Sequence, residues 1–496
     1  MYETNHLGIN SRNLMKFGTS GLRGLSIDLE GAGAAVYADA FGRYLIESGR
    51  AKSGDSVLIG RDFRQSSPAI TAICVGALSD LGFGIGDCGA VPTPALALYG
   101  VKNNLASLMV TGSHIPADRN GIKFYRPDGE IDKADEAAIT RVAADRGPAP
   151  VDRRAAVEDH ADRCIDLFLR RNIRLLAGGA LAGLKIGVYQ HSTVARDLIV
   201  EVLSHYGAEV VPLGRSQAFI PVDTEAISSE TTALLAEWAS FHNLDAIVSA
   251  DGDGDRPLVA DERGVPLRGD LLGLMAAEFL RADAVVTPVT SNSGIESLGL
   301  SVTRTRVGSP YVIAGMQEAL SAGKERVVGF EANGGLLMAG VCSSNGHAID
   351  ALPTRDCMLP ILVALSQIAS LKMPLSHIAR SYDLPFAASG RLEHFPSERS
   401  VELLHHLRAS DANLERFLQG MGKVSSRSDI DGLRVALTDR RVIHFRRSGN
   451  APEIRCYVEA ATETAAAELL EAGLDQLRLW ANADGERGDG LRGHGL

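Results

Sequence analysis

The chain has 496 residues, 45% hydrophobic and 22% charged, so it is too long for one hydrophobic core and too apolar to be disordered. At roughly 100–200 residues per domain, three to five units are expected. Lys and Arg number 50 against 61 Asp and Glu, and the net charge of −11 has the wrong sign for a nucleic-acid scaffold. An acidic chain can still carry a local basic pocket for an anionic small substrate.

The opening MYETNHLGIN lacks a basic-then-apolar signal pattern, and no run approaches the roughly 18 uninterrupted apolar residues of a membrane span. Cys74, Cys88, Cys164, Cys342, Cys357 and Cys456 form no C-x-x-C pair, which supports neither a zinc ribbon nor a disulfide framework. A soluble, reduced, cytoplasmic protein is expected, using neither nucleic acid nor membrane.

The first clear unit reads VLIGRD (57–62), a Ser- and Pro-containing turn, the helical SPAITAICVGALSDLG and the strand FGIGDCG. An apolar strand over 105–110 then delivers MVTGSHIPADRNGIKFY (109–125). Gly112 lets the backbone approach a ligand closely, and Ser113 falls at a strand's carboxyl end, where ligands bind in open α/β sheets. A serine nucleophile needs a proton acceptor, and His114 and Lys123 are nearby candidates. Taken alone, the loop reads more readily as a turn serine beside a solvated histidine.

RGPAPVDRR (146–154) marks a boundary, after which LKIGVYQ (184–190), a His-Ser-Thr turn, ARDLIVEVLSHYG and AEVVPLG repeat the strand–turn–helix–strand rhythm. Next comes LDAIVSADGDGDRPLV (244–259), a buried strand ending in Asp251, Asp253 and Asp255 with glycines between them. Hard oxygen ligands at this density suggest Mg²⁺ or Ca²⁺. An EF-hand is opposed by Arg256 at the loop's glycine position and by the strand that leads in.

Past a second boundary around ERGVPLRGD (262–270), DAVVTPVT (283–290), a short helical IESLGL and SVTRTRVG give the rhythm a third time. VVGFEANGGLLMAG (327–340) places Glu331 and Asn333 after a strand, with donors and acceptors suited to sugar hydroxyls; by itself it reads as a plain turn. A third boundary lies in 381–400. Beyond it DGLRVAL and VIHFRRSG read as a hairpin, PEIRCYVEA as a strand with Ile454, Cys456 and Val458 alternating, and TETAAAELLEAGLDQLRLWA as an amphipathic helix. Arg446, Arg447, Ser448, Gly449 and Asn450 make a cationic, donor-rich loop that suits a phosphate dianion, or else a solvated basic hairpin. The tail ADGERGDGLRGHGL reads as disordered.

The predicted fold is therefore α/β, with three related α/β domains of mixed sheets and a smaller C-terminal α+β domain. The expected spans are 1–150, 151–263, 264–385 and 386–482, with a tail at 483–496. A phosphorylated Ser113 beside three carboxylates stays net negative even with one divalent cation, and Lys123 and Arg256 are the natural compensation. A distal anionic group would need Arg446 and Ser448. Together the loops describe phosphoryl transfer through a serine with a metal beside it.

These loops, in this order, resemble the α-D-phosphohexomutase superfamily of phosphoglucomutases, phosphomannomutases and phosphoglucosamine mutases. The match opens with FGTSGLRG (17–24) and runs through TGSHIP, DGDGDR, an E-x-x-G-G form of the sugar loop and RRSGNAP. The resemblance implies four domains around a central cleft, Ser113 as the phosphoserine, and Mg²⁺ held by Asp251, Asp253, Asp255 and a phosphoserine oxygen. It also implies His114 and Lys123 as proton-transfer residues and Arg23 and Arg256 around the transferred phosphoryl. Glu331 and Asn333 would grip sugar hydroxyls. Arg446, Ser448, Gly449 and Asn450 would grip the second phosphate, and Gly308 and Ser309 lie in the central loop RVGSPYV (306–312). A hexose 1,6-bisphosphate is the implied intermediate and activator, hexose phosphates are the small-molecule partners, and a monomer or homodimer is expected.

The family's sugar loop is usually E-x-S-G-H, whereas here Asn333 and Gly335 replace Ser and His. The phosphate loop, often R-P-S-G-T-E-P, carries Arg447, Asn450 and Ala451 instead of Pro, Thr and Glu. With FIPVDTEA (219–226), these variants resemble bacterial phosphomannomutases and imply mannose, with glucose and glucosamine phosphates as alternatives. A serine-phosphate phosphatase or a sugar-phosphate-binding protein would be built on the same loops.

Overall fold

The computed structural model describes residues 15–18, 21–146, 155–340, 342–344, 347–448 and 452–482. Gly449, Asn450, the 147–154 part of the first boundary and the tail at 483–496 lie outside the described residues. The chain divides into two compact units, one of Met1–Val286 with Gly308–Tyr382 and one of Thr287–Val307 with Asp383–Leu496.

The first unit holds three mixed sheets. In the first, the strands Ser56–Arg61, Gly84–Ala90 and Ser107–Val110 run parallel, and Arg119–Arg126 closes antiparallel on Ser107–Val110. The predicted helix forms over Ser67–Ser79, with Pro68 in its first turn, where a missing N–H costs nothing. Its Ile70, Ile73, Cys74, Ala77 and Leu78 pack with Val57, Ile59, Leu108 and Val110 into one core. The second sheet orders Glu209–Leu213, Lys185–Tyr189, Ala246–Ala250 and Pro257–Ala260, parallel except for the last pair. In the third, Ala284–Pro288 lies parallel to Arg326–Phe330, with Leu336–Gly340 and Leu352–Asp356 antiparallel beyond.

Parallel neighbours buried on both faces explain the continuous apolar runs, since Ala246–Ala250 and Ala284–Pro288 are buried at every position. Among the described residues no single helix is long and apolar enough to cross a membrane. The most apolar helix, Met358–Leu371, is a core element with Met358 to Leu365 buried throughout.

The second unit is an antiparallel five-stranded sheet ordered Phe386–Leu392, Ile454–Ala460, Val442–Arg447, Leu433–Leu437 and Val424–Ser428. The predicted hairpin pairs Leu433 with Phe445 and Val435 with Ile443. Ile454, Cys456 and Val458 alternate inward onto the helix Glu463–Asn482. In the same unit the short helical run of the third repeat is a 3₁₀ turn, Ser293–Leu298, and not an α-helix. The Asn292 side chain accepts from Gly294 N at 2.8 Å, and Gly299 in the left-handed region stops the turn after six residues. Such a run is too short to propagate an α-helix.

Candidate active site

In the first unit, Ser113 leaves the strand Ser107–Val110 in a left-handed conformation, φ +56°, and is 1% exposed. A non-glycine residue there costs roughly 1–3 kcal/mol and persists only when its surroundings over-determine it. The surroundings begin with Asp62, whose carboxylate accepts from Thr111 Oγ1 at 2.7 Å and Ser67 Oγ at 2.6 Å, while Thr111 Oγ1 accepts from Ser113 N at 2.8 Å. Arg64 completes them. Its guanidinium donates to the carbonyls of Ser113 (2.9 Å), Ile115 (2.6 Å), Pro116 (2.7 Å) and Arg119 (2.9 Å), and lies 4.0 Å over the Phe219 ring. A Cβ on Gly112 would meet this guanidinium at 2.8 Å, so the group lying close to Gly112 is the protein's own Arg64 and not the expected ligand.

The aspartate loop follows the strand Ala246–Ala250. Gly254 turns the chain at φ +70°, and a Cβ on Gly252 would lie 2.8 Å from Ser113 O, so the two loops meet backbone to backbone. Ser113 Oγ donates to Asp251 Oδ2 at 2.5 Å and lies 3.2 Å from His114 Nδ1. Lys123, 4% exposed, is instead engaged by Asp253 Oδ2 (2.6 Å) and Asp255 Oδ2 (2.5 Å), and Thr93 Oγ1 also donates to Asp253.

The three carboxylates are buried and offer ligand atoms within 4.8 Å of one another. Asp253 Oδ1 and Asp255 Oδ1 have no hydrogen-bond partner, a costly state for a buried acceptor that a cation would relieve. An all-oxygen set of this kind fits a hard divalent ion. Without a cation, burial together with the charges of Asp253 and Asp255 raises the Asp251 carboxyl well above its ordinary range. Asp255 is also buried, yet Arg355, Lys123 and Arg256 hold it far below that range.

Burial, then the charges of Arg256 and Arg23, push His114 well below its usual value, so its imidazole is neutral beside the serine. Arg23 keeps partial access to solvent, but burial of its guanidinium and the neighbouring Arg256 and Arg355 push it down to about 10. Arg256 is buried with Nε unpartnered, 3.7 Å from Asp255 Oδ1. Glu331 Oε1 accepts from Arg355 Nη1 at 3.1 Å, while Asn333 Oδ1 accepts from Gly335 N at 3.0 Å inside its own turn.

Not every predicted group joins this cluster. Gly308 caps the helix Ser309–Ser321 at φ +129°, and Ser309, fully buried, donates to Glu130 Oε2 at 2.7 Å, a tie from the start of this helix to the first sheet. In the second unit Arg446 Nε donates to Asp431 Oδ2 at 2.9 Å and Ser448 N to Glu453 O at 3.0 Å.

Arg64 and Arg355 were missed. Arg64 carries a legible signal, being the second arginine of RDFR in the turn after a strand. Arg355 lies inside a strand, in PTRD, with nothing local to mark it. The segment FIPVDTEA also has a structural reason to vary with the sugar loop. Its Phe219 supports Arg64, its Asp223 Oδ2 lies 4.0 Å from His114 Nε2, and Thr224 Oγ1 donates to Asn333 O at 2.7 Å.

Chemically, this arrangement joins a serine hydroxyl, a hard-cation site and a cationic rim, the parts needed to pass a phosphoryl group while its charge is neutralised. Residues 14–148, 169–264 and 268–384 match the phosphoglucomutase/phosphomannomutase α/β/α domains I, II and III. A phosphomannomutase of Sinorhizobium fredii (strain NBRC 101917 / NGR234) is 55% identical, covering 92% of this chain and 98% of its own length. One of Salmonella muenchen is 40% identical, covering 96% and 98%. A crystal structure of a phosphoglucomutase/phosphomannomutase family protein from Burkholderia thailandensis shares the fold, with a TM-score of 0.71 at 21% identity over 94% of this chain and 97% of that one. This chain belongs to the phosphoglucomutase/phosphomannomutase family.

Proposed function

We propose that the chain is a phosphomannomutase, interconverting mannose 6-phosphate and mannose 1-phosphate through a phosphorylated Ser113 and a 1,6-bisphosphate. The carrying observation is the 2.5 Å hydrogen bond from Ser113 Oγ to Asp251, which joins the serine to the carboxylate cluster. The two phosphomannomutase relatives support mannose as the sugar, and glucose phosphates are the next substrates to assay. The same reading divides the chain at 1–150, 151–263, 264–385 and 386–482. It has the enzyme act as a monomer or homodimer in a reducing cytoplasm, which six free buried cysteines support.

Asp251, Asp253 and Asp255 would hold Mg²⁺ together with an oxygen of the seryl phosphate. When bound it supplies charge neutralisation on the phosphoryl oxygens. The O1 hydroxyl of mannose 6-phosphate attacks the phosphorus and gives up its proton, the bond from phosphorus to Ser113 Oγ breaks, and Oγ takes up a proton as it leaves. Neutral His114, 3.2 Å from Oγ, and Lys123 are suited to exchange the protons. Arg23 and Arg256 face the phosphoryl as it moves. Glu331 and Asn333 orient the sugar, and Arg446, Ser448, Gly449 and Asn450 hold the phosphate that is not reacting. The bisphosphate then turns over, its 6-phosphoryl returns to Ser113, and mannose 1-phosphate is released.

Intact-protein mass after incubation with mannose 1,6-bisphosphate tests the reading, with one phosphate expected on Ser113 and steady turnover without release of free phosphate. Stoichiometric phosphate release would make the protein a phosphatase. No covalent phosphate would leave a binding protein.

A further inference from the structure

Arg355 stands on the strand Leu352–Asp356 with its stem lying over Gly335. A Cβ at Gly335 would sit 2.4 Å from Arg355 Cδ and 2.7 Å from Cγ. Gly335 is not among the residues of positive φ, so what demands a glycine is space and not backbone conformation. The replacement of histidine by glycine in the sugar loop is therefore the opening through which Arg355 reaches the site. Its guanidinium then divides, with Nε and Nη2 donating to Asp255 Oδ2 at 3.0 and 2.8 Å and Nη1 to Glu331 Oε1 at 3.1 Å. Glu130, the other carboxylate close enough to feel this charge, has its oxygens taken by the hydroxyls of Ser309 (2.7 Å) and Thr354 (2.6 Å).

Resting on the reading of Glu331 as the carboxylate that grips the sugar, we infer that Arg355 determines sugar specificity. The guanidinium neutralises Glu331, so the site admits hexose phosphates with neutral hydroxyls and rejects 2-amino-2-deoxyhexose phosphates. The ammonium of an amino sugar would meet a fixed positive charge where it needs a free carboxylate, and like charges set together are an effective means of excluding a wrong partner. Arg suits this task better than Lys, because its fork spans two carboxylates at once.

The experiment compares kcat/KM for glucosamine 1-phosphate and mannose 1-phosphate in wild type, Arg355→Met, Arg355→Lys and Gly335→Ala. Equilibrium binding of both sugars is measured calorimetrically in EDTA, and thermal melts establish that each variant is folded. Arg355→Met keeps the stem and removes the charge, and should raise the glucosamine-to-mannose ratio at least about tenfold, with Arg355→Lys, which keeps the charge without the fork, bringing the ratio part of the way back. Gly335→Ala displaces the stem and should move the ratio the same way, which carries the test if Arg355→Met does not fold. Ratios within about twofold of wild type in both Arg355→Met and Gly335→Ala, whatever the absolute rates, overturn the inference. A wild type that turns over no hexose phosphate, yet in EDTA prefers mannose 1-phosphate by a margin that Arg355→Met abolishes, removes the mutase reading and keeps the discrimination. A working mutase whose ratio ignores Arg355 does the reverse.

Discussion

Ser113 Oγ and Asp251 Oδ2 lie 2.5 Å apart across 138 residues of chain, one at the end of a strand in the first sheet and the other at the end of a strand in the second. Nothing local to either residue demands that contact. It follows from two strand ends being held face to face, with Gly252 packed against the carbonyl of Ser113.

Ser113→Ala should abolish turnover and covalent phosphate together while leaving the thermal melt within a few degrees of wild type. Losing one hydroxyl also relieves Asp251 of a donor, and a buried carboxyl already held toward its neutral form tolerates that. Residual activity above about one thousandth of wild type would take the nucleophile's role from this serine.

Asp253→Asn should lower Mg²⁺ affinity and activity in parallel, because Asp253 Oδ1 is one of the two buried oxygens of the aspartate cluster that have no hydrogen-bond partner. Calorimetric titration with Mg²⁺ checks it, and unchanged affinity would move the metal elsewhere.

Arg64→Met should destabilise the protein by roughly 3–5 kcal/mol in urea, since it takes a charged donor from four carbonyls and leaves Asp62 buried without its ion pair. Activity should fall with it even in the folded fraction, because Ser113 would relax from its left-handed conformation. Full activity per folded molecule would show that the serine loop holds itself.

Arg446→Ala should raise KM about tenfold or more with little change in kcat, since a contact made equally in ground and transition states is lost from binding alone. Asp431→Ala, which frees the same guanidinium from its 2.9 Å partner, should move KM the other way. A collapsed kcat at constant KM would contradict both.

His444 gives the second unit an acid-sensitive stability. Burial pushes its imidazole down to about 4, helped by Arg434 and Arg446 and opposed by the bond from Nε2 to Asp431 O, while Nδ1 has no partner. The unfolded chain takes up that proton near its ordinary value of about 6.5 and the folded one does not, so stability is whole above pH 6.5 and drains away as pH falls toward 4. The loss should reach roughly 3 kcal/mol. Trp238 and Trp480 are the chain's two tryptophans, so a Trp238→Phe background lets Trp480 report the second unit alone. Its urea midpoint should fall between pH 7 and 5, and His444→Gln should flatten that slope; a slope that survives the substitution would assign it to another group.

Local patterning carried the architecture. Period-two alternation at Ile454, Cys456 and Val458, apolar runs such as 246–250, and polar turns after each strand were enough to find three mixed-sheet α/β domains and a fourth of another kind, because burial acts on neighbours a few residues apart. It carried the motif chemistry as well, since Gly252 and Gly254 among three aspartates say what such a loop can hold. It failed at Ser293–Leu298, where an Asn cap and an early glycine made a 3₁₀ turn of an expected helix. Ser309 turned out to be tied to Glu130, and Arg64 and Arg355 went unseen. Those are decided by which strand ends are brought together, and a guanidinium spends its donors on whatever carbonyls and carboxylates the fold sets within its reach. Composition and local pattern thus determined what each stretch could be and which ligands it could take. Only the tertiary arrangement decided which charge meets which, because Coulomb and hydrogen-bond energies depend on distance in space and not on distance along the chain.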